Sequence, residues 1–124
     1  MAPRNSRTVA FSMPGGESCA QASPRPIDLA HLARQTMGDR ALEQEVLALF
    51  VQQAVQVRDQ IEEASMNERV RLAHGLKGSA RGIGAFAIAG CADAIEAKPD
   101  NTSEVQRLAG LVDEVREFIA AIGR

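Results

Sequence analysis

One of the two histidines in this 124-residue chain sits in a stretch whose composition is odd for a helix. Ala73-His74-Gly75-Leu76-Lys77-Gly78-Ser79-Ala80-Arg81-Gly82-Ile83-Gly84 has helical apolar spacing, yet glycines stand at 75, 78 and 82 ahead of Gly84. Each interior glycine costs a helix about 0.5–1 kcal/mol relative to alanine. Something other than helix stability therefore selects small residues beside this imidazole. At about 100° per residue, His74, Lys77, Gly78 and Arg81 share one face, and Leu72, Leu76, Ser79 and Ile83 lie opposite. The apolar side is expected to face a core and the histidine to face outward. A bulky residue at 78, one turn along, would block a group approaching the ring. Lys77 is one of only two lysines, the other being Lys98. Cations at 77 and 81 suit the equatorial oxygens of a phosphoryl group in flight, where positioning and electrostatics supply most of the catalysis.

The elements that must hold such a site are helical. At this length the chain is read as one domain with a modest core. Ala, Leu, Glu, Gln and Arg are abundant, which favours helix, and 3% aromatic content with no Trp or Tyr argues against a β-sandwich core. The same scarcity removes the stacking platforms of nucleic-acid surfaces, and a net charge of −2 gives no pull toward nucleic acid or anionic lipid. No apolar run approaches the ~18 residues of a membrane span. Met1 to Ala10 lack the apolar core of a signal peptide. No nucleic acid, no membrane and a cytoplasmic location are the resulting expectations. Cys19 and Cys91 give neither a disulfide framework nor a metal spacing; Cys91 reads as a small buried hydrophobe.

Residues 1–26, broken by Pro3, Pro14, Gly15, Gly16, Pro24 and Pro26, read as a disordered tail, and 27–124 as the folded unit. Asp28 caps a short helix from Leu29 to about Met37, closed by Gly38; its His31 reads as a surface or hydrogen-bonded histidine. Asp39 caps a second helix running to about Ala64. Its stripe of Leu42, Val46, Leu49, Phe50, Ala54, Val57 and Ile61, widened by Leu47, Val51 and Val55, is assigned mostly to the core. Ser65-Met66-Asn67-Glu68 is a capping box that starts the histidine helix, which ends near Ile83-Gly84. A fourth helix, about Ala85 to Ala97, places Ile88, Cys91, Ala92 and Ile95 on one face before Pro99. Asn101-Thr102-Ser103 offers caps, with Ser103 and Gln106 as another box. The last helix carries Val105, Leu108, Val112, Val115, Ile119 and Ile122 in bundle register. Short connections favour antiparallel neighbours. The expected fold is all-α: an antiparallel up-and-down four-helix bundle with a short additional N-terminal helix.

Folding the third and fourth helices back at Ala85 sets residues whose numbers sum to 170 at equal height. His74 then meets Glu96, each roughly 16 Å from the turn at about 1.5 Å per residue. A carboxylate there can fix one ring nitrogen and leave the other free to attack. A solvated helix-end charge is the competing reading of Glu96.

His74-Gly75-Leu76-Lys77-Gly78-Ser79-Ala80 resembles the H-x-L-K-G-[SA]-[SA] signature of histidine-containing phosphotransfer domains. Ile83-Gly84-Ala85, Ile95-Glu96, Ile27-Asp28 and Gly38-Asp39 also fall where that family has similar residues, so the resemblance covers about residues 27–120. It implies that His74 is the phosphoacceptor, that Lys77 stabilises the phosphoryl group, that Gly78 gives access and that Glu96 orients the ring. Gly75 is smaller than the residue often found there, and Arg81 adds charge where many relatives are neutral.

The resemblance implies a phosphorelay intermediate without kinase activity. Its partners would be response-regulator receiver domains and an upstream, hybrid histidine kinase. No cofactor is expected on the chain, because any magnesium would be held by the receiver. A monomer is expected, and because the chain stops just after its last helix, a free-standing carrier. Two other readings stay open at this point: a receiver-docking adaptor that carries no phosphate, and the histidine-bearing substrate domain of a chemotaxis-type kinase.

Overall fold

The computed structural model describes residues 25–123. The expected tail, residues 1–26, thus lies outside the described residues except for Arg25 and Pro26. Within the described part the secondary structure consists of α-helices: α1 (Leu29–Gln35), α2 (Arg40–Ile61), α3 (Met66–Ile83), α4 (Phe86–Ala97) and α5 (Thr102–Ile122).

Four of the helices start on side-chain caps that replace missing intrahelical acceptors. Asp28 accepts from the His31 amide, Asp39 from Leu42, Ser65 from Glu68 and Asn101 from Glu104. Asn101 is the cap of α5; Ser103 lies inside the first turn and donates to Asn101 Oδ1 at 3.0 Å instead of opening a box with Gln106. The first helix stops at Gln35, two residues before the expected Met37. Met37 itself takes φ +54° and Gly38 φ +77°, so the left-handed exit begins one residue before the glycine. The second helix stops at Ile61, three residues short of the expected Ala64.

The helices form a ring of neighbours: α3 packs on α2 and α4, α5 packs on α4 and α2, and α1 lies against α3. Leu47, Phe50, Ala54, Val57 and Ile61 of α2 meet Ala73, Leu76, Ala80 and Ile83 of α3. Ile88, Cys91, Ala92 and Ile95 of α4, and Val105, Leu108, Val112 and Val115 of α5, complete the core. Two expectations about this core change. Leu42 and Leu49 are exposed, because the buried face of α2 is centred on Leu47 and Phe50, about a third of a turn away. The α5 seam also fades: Ile119 is half-buried and Ile122 exposed at the helix end.

Arg69 is buried, an outcome that apolar periodicity does not reveal. Its guanidinium donates to the carbonyls of Ile61 (2.9 Å), Glu62 (2.5 Å) and Pro99 (2.8 Å). The acceptors left over at the end of α2 and in the α4–α5 connection are satisfied by one side chain on α3. His31 is half-buried and not hydrogen-bonded through Nε2. That atom is buried without a partner, and the ring packs edge-on to Phe86 with centroids 5.2 Å apart.

Candidate functional site

The histidine is positioned by the turn that joins α3 to α4. Gly84 ends α3 with φ +88°, a conformation that strains any residue with a Cβ. Its carbonyl accepts from the Asp28 amide at 2.9 Å, and a Cβ at this position would meet Asp28 O at 2.9 Å. The turn is therefore locked both by conformation and by the backbone ahead of α1.

From this turn, α3 and α4 pair residues at equal height: His74 with Glu96 and Lys77 with Asp93, both pairs summing to 170. His74 Nδ1 lies 2.9 Å from Glu96 Oε2, with 71% of the His74 side chain exposed and 25% of Glu96. The Lys77 ammonium, first, and the His74 ring, second, hold the Glu96 carboxyl below its ordinary value. An ionised carboxylate only accepts, so Nδ1 is the donor in this bond. The neutral ring then has its lone pair on Nε2.

Lys77 reaches across to the same carboxylate. Its Nζ is 2.5 Å from Glu96 Oε1, an ion-pair contact without the alignment of a hydrogen bond, and 3.2 Å from Asp93 Oδ1. The stem is packed, leaving only 16% of the side chain exposed. The two carboxylates, Glu96 before Asp93, raise the ammonium above its ordinary value. Glu96 thus bridges the lysine and the histidine, one oxygen to each.

The glycines leave the flank of α3 bare. A Cβ at Gly78 or Gly82 would meet nothing within 4 Å, and one at Gly75 would meet only Gln53 Nε2 at 3.9 Å. Gln53 also lines an open groove of about 270 Å³ with Val46, Leu49, Phe50, Ser79 and Ile83. Ser79 is therefore part of this groove wall rather than of the core, and its hydroxyl donates back to the Gly75 carbonyl at 3.3 Å. A larger cavity of about 650 Å³, between α1 and the start of α4, is lined by none of the histidine cluster.

Of the residues expected at the site, His74, Lys77 and Glu96 are brought together, and Gly78 borders open space. Arg81 is exposed, and among the described residues it forms no ion pair and does not join the cluster. Asp93 is the member that sequence reading passed over. The height rule that selects Glu96 for His74 selects Asp93 for Lys77 as well. Cys91, also on α4, is a buried thiol pushed up to about 12, chiefly by burial, and is chemically quiet. Among the described residues no group of three or more His, Cys, Asp or Glu side chains is placed to hold a metal ion, and no helix is long and apolar enough to cross a membrane.

No curated protein and no solved structure matches the chain. A family model described as Hpt domain matches residues 45–122, more than half of the sequence, from the first turns of α2 to the end of α5. The chain belongs to the Hpt-domain family, the phosphocarrier modules of two-component phosphorelays.

Proposed function

We propose that His74 is the phosphoacceptor, taking a phosphoryl group from a receiver-domain aspartate and passing it to another. The observation that carries this reading is the Nδ1–Glu96 bond on an imidazole otherwise open to solvent. In the forward step the Nε2 lone pair attacks the phosphorus of an aspartyl phosphate. The N–P bond forms, the P–O bond to the receiver breaks, and the receiver aspartate leaves as a carboxylate. The ring then carries both the phosphoryl group and the Nδ1 proton, and its positive charge faces the Glu96 carboxylate. Positioning and charge supply the catalysis in such transfers. Lys77 brings an ammonium to the phosphoryl oxygens, and the bare flank at Gly78 admits the receiver. Arg81 extends the positive strip one turn further along α3.

The donor in this scheme is itself a receiver aspartate, and we place that receiver on an upstream histidine kinase of the hybrid type. The module is read as residues 27–124 in an antiparallel up-and-down four-helix bundle with α1 as a short leading helix. The ring of helix neighbours and the equal-height pairs between α3 and α4 support that arrangement.

Incubation with a phosphorylated receiver, followed by mapping of the labelled residue, tests the assignment. Label is expected on His74 and absent from His74→Gln, whose helicity by circular dichroism should match the parent. Acceptance that survives the substitution would sink the proposal.

A further inference from the structure

We infer that Asp93 is a positioning residue for phosphotransfer, acting through Lys77. This rests on the reading of His74 and Lys77 given above. Asp93 lies one turn before Glu96 on the face of α4 that meets α3, with its side chain 60% exposed. It touches neither the imidazole nor any group buried in the core; its one polar contact among the described residues is the Lys77 ammonium. The four polar groups form a series across the two helices: Asp93 to Lys77, Lys77 to Glu96, Glu96 to His74.

The physical problem for Lys77 is its freedom. A lysine has four rotatable bonds, and ordering it costs side-chain entropy. Held by Glu96 alone, the ammonium would be free to swing about a single carboxylate. Asp93 gives it a second anchor one turn away: Nζ stays 2.5 Å from Glu96 Oε1 while also reaching Asp93 Oδ1 at 3.2 Å. Fixed at two points, the ammonium is held ready at the edge of the α3–α4 seam. Asp93 serves nothing else in the fold, since among the described residues it caps no helix and bridges no other pair.

The test is a double-mutant cycle read by single-turnover transfer from a phosphorylated receiver at varied receiver concentration. Asp93→Asn keeps the shape and removes the charge. It is expected to lower the saturated rate by about two- to fivefold, the range of a partly exposed ion pair, and to leave the half-saturating receiver concentration unchanged. Asp93→Glu should restore most of the loss. In a Lys77→Ala background, Asp93→Asn should have no further effect. An equal effect in both backgrounds, a change confined to half-saturation, or full activity of Asp93→Asn would each overturn the inference. His74→Gln run in parallel separates this from the wider reading: label appearing on His74→Gln refutes the phosphoacceptor assignment, whereas an unaltered Asp93→Asn refutes only the role of Asp93.

Discussion

Glu96 has to serve two partners at once, and its two oxygens divide between them, Oε2 taking the imidazole and Oε1 the ammonium. The ammonium by its charge and the imidazole by its N–H both favour the ionised form, so the carboxyl is held below its ordinary 4.5. The folded protein therefore binds this proton less readily than the unfolded chain. The stabilisation is complete above 4.5 and drains away as pH falls through the lowered value. In Glu96→Gln that contribution is gone, so the gap in melting temperature between parent and variant should be largest near neutrality and close in acid. A gap that stays constant into acid would show that the charge is not what the fold uses. Transfer separates orientation from charge. The glutamine carbonyl can still accept from Nδ1 and should retain part of the rate, while Glu96→Ala loses both and should fall by about tenfold, the low end for a charge-assisted hydrogen bond.

At the scale of the helix, the glycines of α3 have two different physical causes, which one substitution series can tell apart. Gly84 is required by its conformation and by the Asp28 backbone. Gly84→Ala should cost about 1–3 kcal/mol for the left-handed residue alone, a fall of roughly 5–20 °C in melting temperature, before any clash with Asp28 is counted. Gly78 has ordinary helical geometry and open space around it. Gly78→Ala should therefore stabilise the fold by about 0.5–1 kcal/mol. Gly78→Gln should leave stability near that of the parent yet block transfer, because its bulk stands where a partner must reach the ring. If Gly78→Gln transfers normally, the bare flank is not an access route.

What the sequence makes legible follows the same division between elements and exceptions. The helix starts at Asp28, Asp39 and Ser65, and the end of α3 at Gly84, are local chemistry and can be read directly, whereas Asn101, Thr102 and Ser103 compete for the start of α5 and only the fold selects Asn101. So is the His74–Glu96 pair, once α3 and α4 are folded back on each other. The face of α2 is less legible because two overlapping stripes, one through Leu49 and one through Leu47, satisfy the same spacing. Only the neighbours decide between them. Arg69 escapes because polarity argues against burial, and the carbonyls that reverse the argument are gathered by the fold, two from the end of α2 and one from Pro99 after α4. Asp93 is within reach of the same height rule but stands out only when the question is what holds Lys77.

For the whole molecule, the misplaced stripe becomes informative. Leu49, 64% exposed, stands over the groove formed with Val46, Phe50, Gln53, Ser79 and Ile83, and Gln53 carries that groove to the edge of Gly75, next to His74. An apolar surface continuous with the nucleophile is suited to a receiver domain, which must bury surface while presenting its aspartate to the ring. On the reading proposed above, docking would use the groove between α2 and α3 and chemistry the α3–α4 seam, so the two should fail separately. Leu49→Arg replaces an exposed side chain and should leave stability within about 0.5 kcal/mol. It should raise the half-saturating receiver concentration by about tenfold, as loss of a central apolar contact does, while the saturated transfer rate stays that of the parent. Met66→Arg, an exposed apolar residue at the far start of α3, serves as the control and should change neither quantity. An unchanged half-saturation in Leu49→Arg would remove α2 from the docking surface. A loss of saturated rate there would mean that docking and alignment of the aspartate are one event rather than two.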